Sequence, residues 1–284
     1  MQTYIAPTHD TNTFSILVPT WNNLPYLKLC VHSIRKHSAL PHQIIVIINE
    51  GKDGTWEWVQ SQQDLSYVYS TENLGICHGL NHGAKLAQTD YLLYINDDMY
   101  VLPDWDQYLW NEIQDIGHSH FMLSATMIEP NDTRNPCVIV SNFGTSIENF
   151  QEEKLLNDFH TFEKQDWNGS TWPPNVMHKS IWNEVGGMSV EFSPGMYSDP
   201  DLSMKFWQAG VRHFKGLGNS RVYHFGSQST KRLSKNVGRQ LFLKKWKITS
   251  GTFSKYYLRR GEKFEGKLPE AKIPLWVRLA TLFK

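Results

Sequence analysis

At 284 residues with 40% hydrophobic side chains, the chain can bury a large core in one domain or in a domain with an appendage. Lysine plus arginine equals aspartate plus glutamate at 28 each, which argues against a chain steered as a whole towards nucleic acid or a strongly charged partner. Cys30, Cys77 and Cys137 are odd in number, widely spaced and form no C-x-x-C pair, which argues against a disulfide framework or a structural zinc site.

The first residues, MQTYIAPTHDTNTF, show no basic start followed by an apolar run, so a cytoplasmic protein is expected. FSILVPT is an apolar strand, and LPYLKLCVHSIRKH sets Leu24, Leu27, Val31 and Ile34 on one helical face. QIIVIIN is a second apolar strand; the glycine-rich turn EGKDGT leads from it into the helix TWEWVQSQ. LSYVYST, LGICHGLNHGAKLAQ and YLLYIN follow as strand, helix and strand. Strands without polar alternation are covered on both faces, and helix-length segments between them make right-handed crossovers. Residues 14–123 therefore predict a parallel, nucleotide-type sheet, whose ligands bind beyond the carboxyl ends of the strands. Thr20, Asn49, Glu50, Asp97 and Asp98 fall at such ends.

Further on, HFMLSATMI is a strand, IENFQEEKLLNDFHTF is expected to be helical, and NVMHKSIWNEVGG reads as strand, short helix and Gly-Gly stop. SDPDLSMKFWQAG is a helix in which Asp199 before Pro200 suits the N-cap, and RVYHFG is a short strand. From Lys231 the chain is basic and helical in pattern, ending in IPLWVRLATLFK. That end is too short to cross a bilayer, and is expected to dock on the domain or lie on a membrane surface. His78 and His82, four residues apart, lack a third zinc ligand and read as a polar helix face.

The sharpest question is why the buried run Tyr91–Ile95 is followed at once by Asn96, Asp97 and Asp98. Adjacent carboxylates repel unless a cation, backbone donors or water offsets their charge. A hard divalent cation held by one or two carboxylates would do so.

SILVPTWNN, IIVIINEGKDGT, ENLGICHGLNHGAKLAQTDYLLYINDDMYVLPDW, EVGGMSVEFSPGMYSDPDLSMKFWQAG and VYHFGSQST occur in the order found in GT-A glycosyltransferases. Across residues 14–230 the chain resembles family 2, the inverting group that includes many bacterial polysaccharide and lipopolysaccharide enzymes. The resemblance implies an α/β, Rossmann-like mixed sheet flanked by helices, divided into a GT-A domain (1–230) and a helical C-terminal extension (231–284). Within the domain it implies a nucleotide-sugar half (14–123) and an acceptor half (124–230).

The activity implied is metal-dependent, inverting transfer from a UDP-, GDP- or dTDP-linked sugar to a hydroxyl of a glycan or lipid-linked glycan. By resemblance, Asp98, with Asp97 and His224, holds Mn²⁺ or Mg²⁺; Asn96 stands where many relatives carry another aspartate. Thr20, Asn49, Glu50, Asn73, Gly75, Asn81 and Asp97 would line the nucleotide sugar. Ser229, Lys231 and Arg232 would close over its phosphates. Asp199 would be the catalytic base, with Asp201 as an alternative because relatives often carry Glu-Asp where this chain has Ser198-Asp199. Trp172, Asn175, Trp182 and Tyr197 would shape the acceptor side. Two rivals stand beside this reading. A nucleotidyltransferase would need a glycine-rich, basic signature after the first strand, where PTWNNLPY has none, and a non-catalytic sugar-nucleotide or glycan-binding module would bind without turnover.

Overall fold

The apolar runs of the first half become the centre of one sheet. The computed structural model describes residues 1–7, 12–226 and 237–277. In chain order the first elements are β1 (Gln2–Tyr4), β2 (Phe14–Trp21), α1 (Leu24–His37), β3 (His42–Asn49), α2 (Thr55–Gln60), β4 (Leu65–Ser70) and α3 (Ile76–Lys85). Next come β5 (Tyr91–Tyr94), β6 (Met99–Val101), α4 (Trp105–Ile116), β7 (Phe121–Glu129), β8 (Ile139–Val140), α5 (Glu152–Asp158) and β9 (Trp167–Asn168). The rest are β10 (Asn175–His178), α6 (Lys179–Glu184), α7 (Ser198–Gln208), β11 (His213–His224), α8 (Gly238–Trp246) and a helical turn, Ser250–Thr252, that runs into a π-turn at Phe253–Tyr257.

The strand order is β1-β4-β3-β2-β5-β10-β7-β11-β6, with β8 beside β7 and β9 beside β11. Strands β4, β3, β2 and β5 run parallel, as their unbroken apolar sequences predict. The second half departs from that pattern: β10 is antiparallel to both β5 and β7, and β11 is parallel to β7 but antiparallel to β6. The sheet is therefore mixed. The short strand expected at RVYHFG is the end of the 12-residue β11, which carries an irregularity between Leu217 and Arg221. Gly216 and Gly218 hid its first half. Both are needed there, because a Cβ would collide with the Trp167 ring at Gly216 and with the Lys164 carbonyl at Gly218. The expected helix around residues 147–162 is split into α5 and two flanking 3₁₀ turns.

Alternation along the central strands builds two cores. Ile16 and Val18 of β2, with Ile44, Val46 and Ile48 of β3, face α1 and α4 through Leu27, Val31, Trp105 and Leu109. Leu17, Ile45 and Ile47 face the other way, onto Leu80 and Ala84 of α3, Trp182 of α6 and Leu202 and Phe206 of α7. Full burial of each such side chain stabilises the fold by about 1.5–3 kcal/mol. Phe242, Phe253, Leu258 and Leu268 belong to this second core, so the C-terminal segment docks on the domain. Leu275 and Trp276 beyond it are exposed, and residues 278–284, the remainder of the terminal amphipathic stretch, lie outside the described residues. Among the described residues no helix is long and apolar enough to cross a membrane.

Candidate active site

A cleft of about 550 Å³ opens beyond the carboxyl ends of the parallel strands. Thr20 and Trp21 from the end of β2, Asn49 from β3, Asn73 and Gly75 before α3, and Asn96 to Met99 between β5 and β6 line one part. Thr171 to Pro173, Pro194 to Pro200, His224, Ser250, Ser254 and Arg260 complete it.

Asp97 and Asp98 are only 4% and 3% exposed. Pairing of His224 with Met99 across β11 and β6 brings the imidazole to them: Nε2 lies 3.5 Å from Asp98 Oδ1, and Nδ1 lies 2.8 Å from Glu129 Oε1. Burial opposes the charged imidazolium, but the carboxylates of Asp98 and Glu129 outweigh it and push His224 up to about 10. A histidine cation therefore offsets part of the charge that the sequence left unexplained. Glu129 is a site residue that sequence reasoning missed; nothing in TMIEPNDT marks it, because its role exists only through pairing of distant strands. Asn96 is held by its neighbour two residues back, with Tyr94 Oη donating to Asn96 Oδ1 at 2.9 Å.

Among the described residues, no group of three or more His, Cys, Asp or Glu side chains is arranged to enclose a metal ion. Magnesium-type sites need no such cage, because substrate phosphates and water supply the remaining oxygens around one or two carboxylates. Two buried carboxylates lining an open cleft fit that kind of site.

Helix α7 starts at Ser198 with Tyr197 as its N-cap in a left-handed backbone, φ +70°. Asp199 is thus in the first turn, which corrects the expectation that it caps the helix. Its carboxyl lines the cleft, and burial pushes it up to about 7. Asp201, one face further round, is fully buried away from the cleft. Its Oδ1 accepts from Trp246 Nε1 at 2.7 Å and pairs with Lys245 Nζ at 3.0 Å.

Thr20 Oγ1 is buried at the cleft wall with no hydrogen-bond partner among the described residues. Asn49 Oδ1 accepts from Leu74 N, and Asn73 Oδ1 from Gly75 N, so both shape the turn into α3. Gly75 is the N-cap of α3 at φ +76°, a conformation only glycine adopts freely. Trp172 and Tyr197 line the cleft.

Other expected ligand contacts lie outside the lining. Asn81 braces the scaffold, exchanging two 2.8 Å bonds with the backbone of Met188. Trp182 packs in the second core, and Asn175 is buried in β10, its Nδ2 donating to Thr171 O at 3.4 Å. Glu50 is engaged by its neighbour strand end, Asn22 Nδ2 donating to its Oε2 at 2.9 Å. Ser229, Lys231 and Arg232 lie outside the described residues.

Comparison with solved structures shows that the fold is of the GT-A type. Residues 1–349 of S. aureus TarS superpose with a TM-score of 0.54 at 16% identity, over 75% of this chain and 60% of that one. GalNAc-T7, solved with UDP, GalNAc and Mn²⁺, gives 0.56 at 16% identity, over 81% of this chain and 45% of that one. The sequence profile of glycosyl transferase family 2 matches residues 15–170, more than half of the chain, and the chain belongs to that family. It is 25% identical over 101 residues to the putative glycosyltransferase EpsH of Bacillus subtilis (strain 168), a match covering 34% of this chain and 29% of that protein. It is also 26% identical over 125 residues to the uncharacterized glycosyltransferase YwdF of the same organism, covering 43% of this chain and 46% of that protein. The chain thus matches less than half the length of either relative.

Proposed function

We propose that the protein transfers a sugar, with inversion, from a nucleoside diphosphate sugar to a hydroxyl of a glycan or lipid-linked glycan, aided by a divalent cation. The observation that carries this reading is the placement, in one cleft, of a buried carboxylate pair and a separate carboxyl that desolvation brings close to neutrality. A group with a pKa near the working pH is suited to accept a proton in the transition state. Uridine diphosphate is the first donor nucleotide to test, because TarS has been solved with UDP and with UDP-GlcNAc, and GalNAc-T7 with UDP.

In this reading Thr20, Asn49 and the Asn73–Gly75 turn receive the nucleotide, and the free lone pairs of Thr20 Oγ1 find a partner there. Asp98, with Asp97 and with His224 once it has given up the proton it holds beside Asp98 and Glu129, would hold Mn²⁺ or Mg²⁺, which when bound draws off the negative charge developing on the departing diphosphate. Asp199 takes the proton of the acceptor hydroxyl as its oxygen bonds to the anomeric carbon and the bond to the diphosphate breaks. Trp172 and Tyr197 flank the acceptor. Residues 1–230 form the catalytic unit in this reading, and Ser250, Ser254 and Arg260 of the described C-terminal segment complete its acceptor end. The test is turnover of a panel of nucleotide sugars with Mn²⁺ and with chelator, with proton NMR of the product. An anomeric configuration opposite to the donor's is expected; retention would contradict the single displacement, and undiminished turnover in chelator would remove the cation.

A further inference from the structure

The chain after α8 brings a cation to the far wall of the cleft. Its backbone is tied to β9 and the turn before it: Asn168 N donates to Glu262 O at 2.8 Å, Gly261 N to Asn168 O at 2.9 Å and Phe264 N to Asp166 O at 2.9 Å. Two glycines make room for it. A Cβ on Gly169, φ +96°, would stand 2.8 Å from Arg260 Cα, and one on Gly261, φ +84°, would collide with Pro136. Arg259 is itself held at φ +47°, a left-handed backbone that a residue with a side chain adopts only under constraint. The position of Arg260 is therefore over-determined. Its guanidinium lies over Trp172, 4.6 Å from the ring centroid, and both residues line the cleft. No carboxylate among the described residues forms an ion pair with it.

Strand order says which end of the substrate it meets. The nucleotide wall stands on β3 and β2, the paired carboxylates follow β5, and Trp172 precedes β10, the next strand over. With strands about 4.8 Å apart, Arg260 lies on the side of the carboxylates away from the nucleotide. A guanidinium there would meet the acceptor, and its planar fork matches the oxygens of a phosphate or carboxylate.

We propose that Arg260, stacked on Trp172, is an anion-recognition subsite, and that the acceptor carries a phosphate or carboxylate group near its reacting hydroxyl. This rests on the transferase reading above. Both anions share the chemistry of a planar or tetrahedral oxyanion, so the test separates them. The full chain is loaded with UDP and Mn²⁺ to fill the donor side, and binding of methyl glucoside, methyl glucoside 6-phosphate and methyl glucuronide is measured by saturation-transfer NMR. At least one anionic probe should bind about tenfold more tightly than the neutral one, as a charge-assisted contact implies, and the preference should fade as salt is raised. The tighter of the two names the anion. Arg260→Gln should abolish the preference and Arg260→Lys should keep much of it, with unfolding midpoints showing that each variant is folded. Equal binding of all three probes, or a preference that survives Arg260→Gln, overturns the subsite. Failure of UDP with Mn²⁺ to bind at all overturns the donor reading instead.

Discussion

Asp98 and Asp199 are expected to fail differently when replaced. Asp98→Ala should remove cation-dependent turnover while the fold persists, since His224 keeps Glu129 as a partner at 2.8 Å. Asp199→Asn should lower kcat by about 10²–10⁴-fold, the usual weight of a general base, and leave nucleotide binding in place. Normal transfer by that variant would move the base elsewhere; Asp201, clamped by Lys245 and Trp246, is poorly placed to take over. The raised carboxyl of Asp199, about 7, sets two opposite pH trends. Activity should fall below about pH 7, because only the ionised form accepts a proton. Stability runs the other way: the folded state holds this proton more tightly than the unfolded chain does. Its contribution is therefore fully present below the unfolded pKa and is lost as pH rises through 7. Asp199→Asn should accordingly raise Tm relative to wild type at alkaline pH and not at acidic pH, and a pH-independent difference would show that the carboxyl is not desolvated. The aspartates were legible in the sequence because each abuts a strand end or helix start. Glu129 and Arg260 were not, because each gains its role only from a neighbour far away in the chain.

Helix α7 is aimed by a strap. Its first turn carries Asp199, and the next buried position, Asp201, accepts from Trp246 Nε1 at 2.7 Å and pairs with Lys245 at 3.0 Å. Replacing Trp246 with Phe keeps the ring but leaves a buried carboxylate oxygen short of a donor, which should destabilise the fold by about 1–3 kcal/mol. Loosening that anchor should also reduce kcat more than it changes the affinity for nucleotide, and Tm and both kinetic constants check it. An unchanged Tm would mean that Lys245 alone secures Asp201. On the other side of the second core, Gly79 and Gly83 let α3 approach β3: a Cβ would stand 2.8 and 2.7 Å from Ile47 methyl carbons. The helices and the parallel strands could be read from periodicity. The antiparallel insertion of β10 and the length of β11 could not, because the first depends on pairing order and the second is masked by glycines that serve packing of Trp167 and Lys164.

At the scale of the molecule, the parallel half was legible as a nucleotide-type sheet with its ligand edge, and the resemblance in motif order located the cleft. What the sequence hid is how far the C-terminal segment contributes: Ser250, Ser254 and Arg260 complete the cleft, and Phe242 and Phe253 fill the core behind it. Those contacts link residues separated by most of the chain, and no local pattern signals them. The measurement that tests the central claim most directly is thermal unfolding with UDP, GDP, dTDP and CMP, each with and without Mn²⁺, on wild type and Asp98→Ala. A nucleotide at about a hundred times its Kd adds roughly 2.7 kcal/mol, a rise of several degrees for a chain of this size. The expected result is stabilisation by one nucleoside diphosphate only when Mn²⁺ is present, lost in Asp98→Ala; stabilisation that needs no metal, or that survives the substitution, would contradict a metal-held donor at this site.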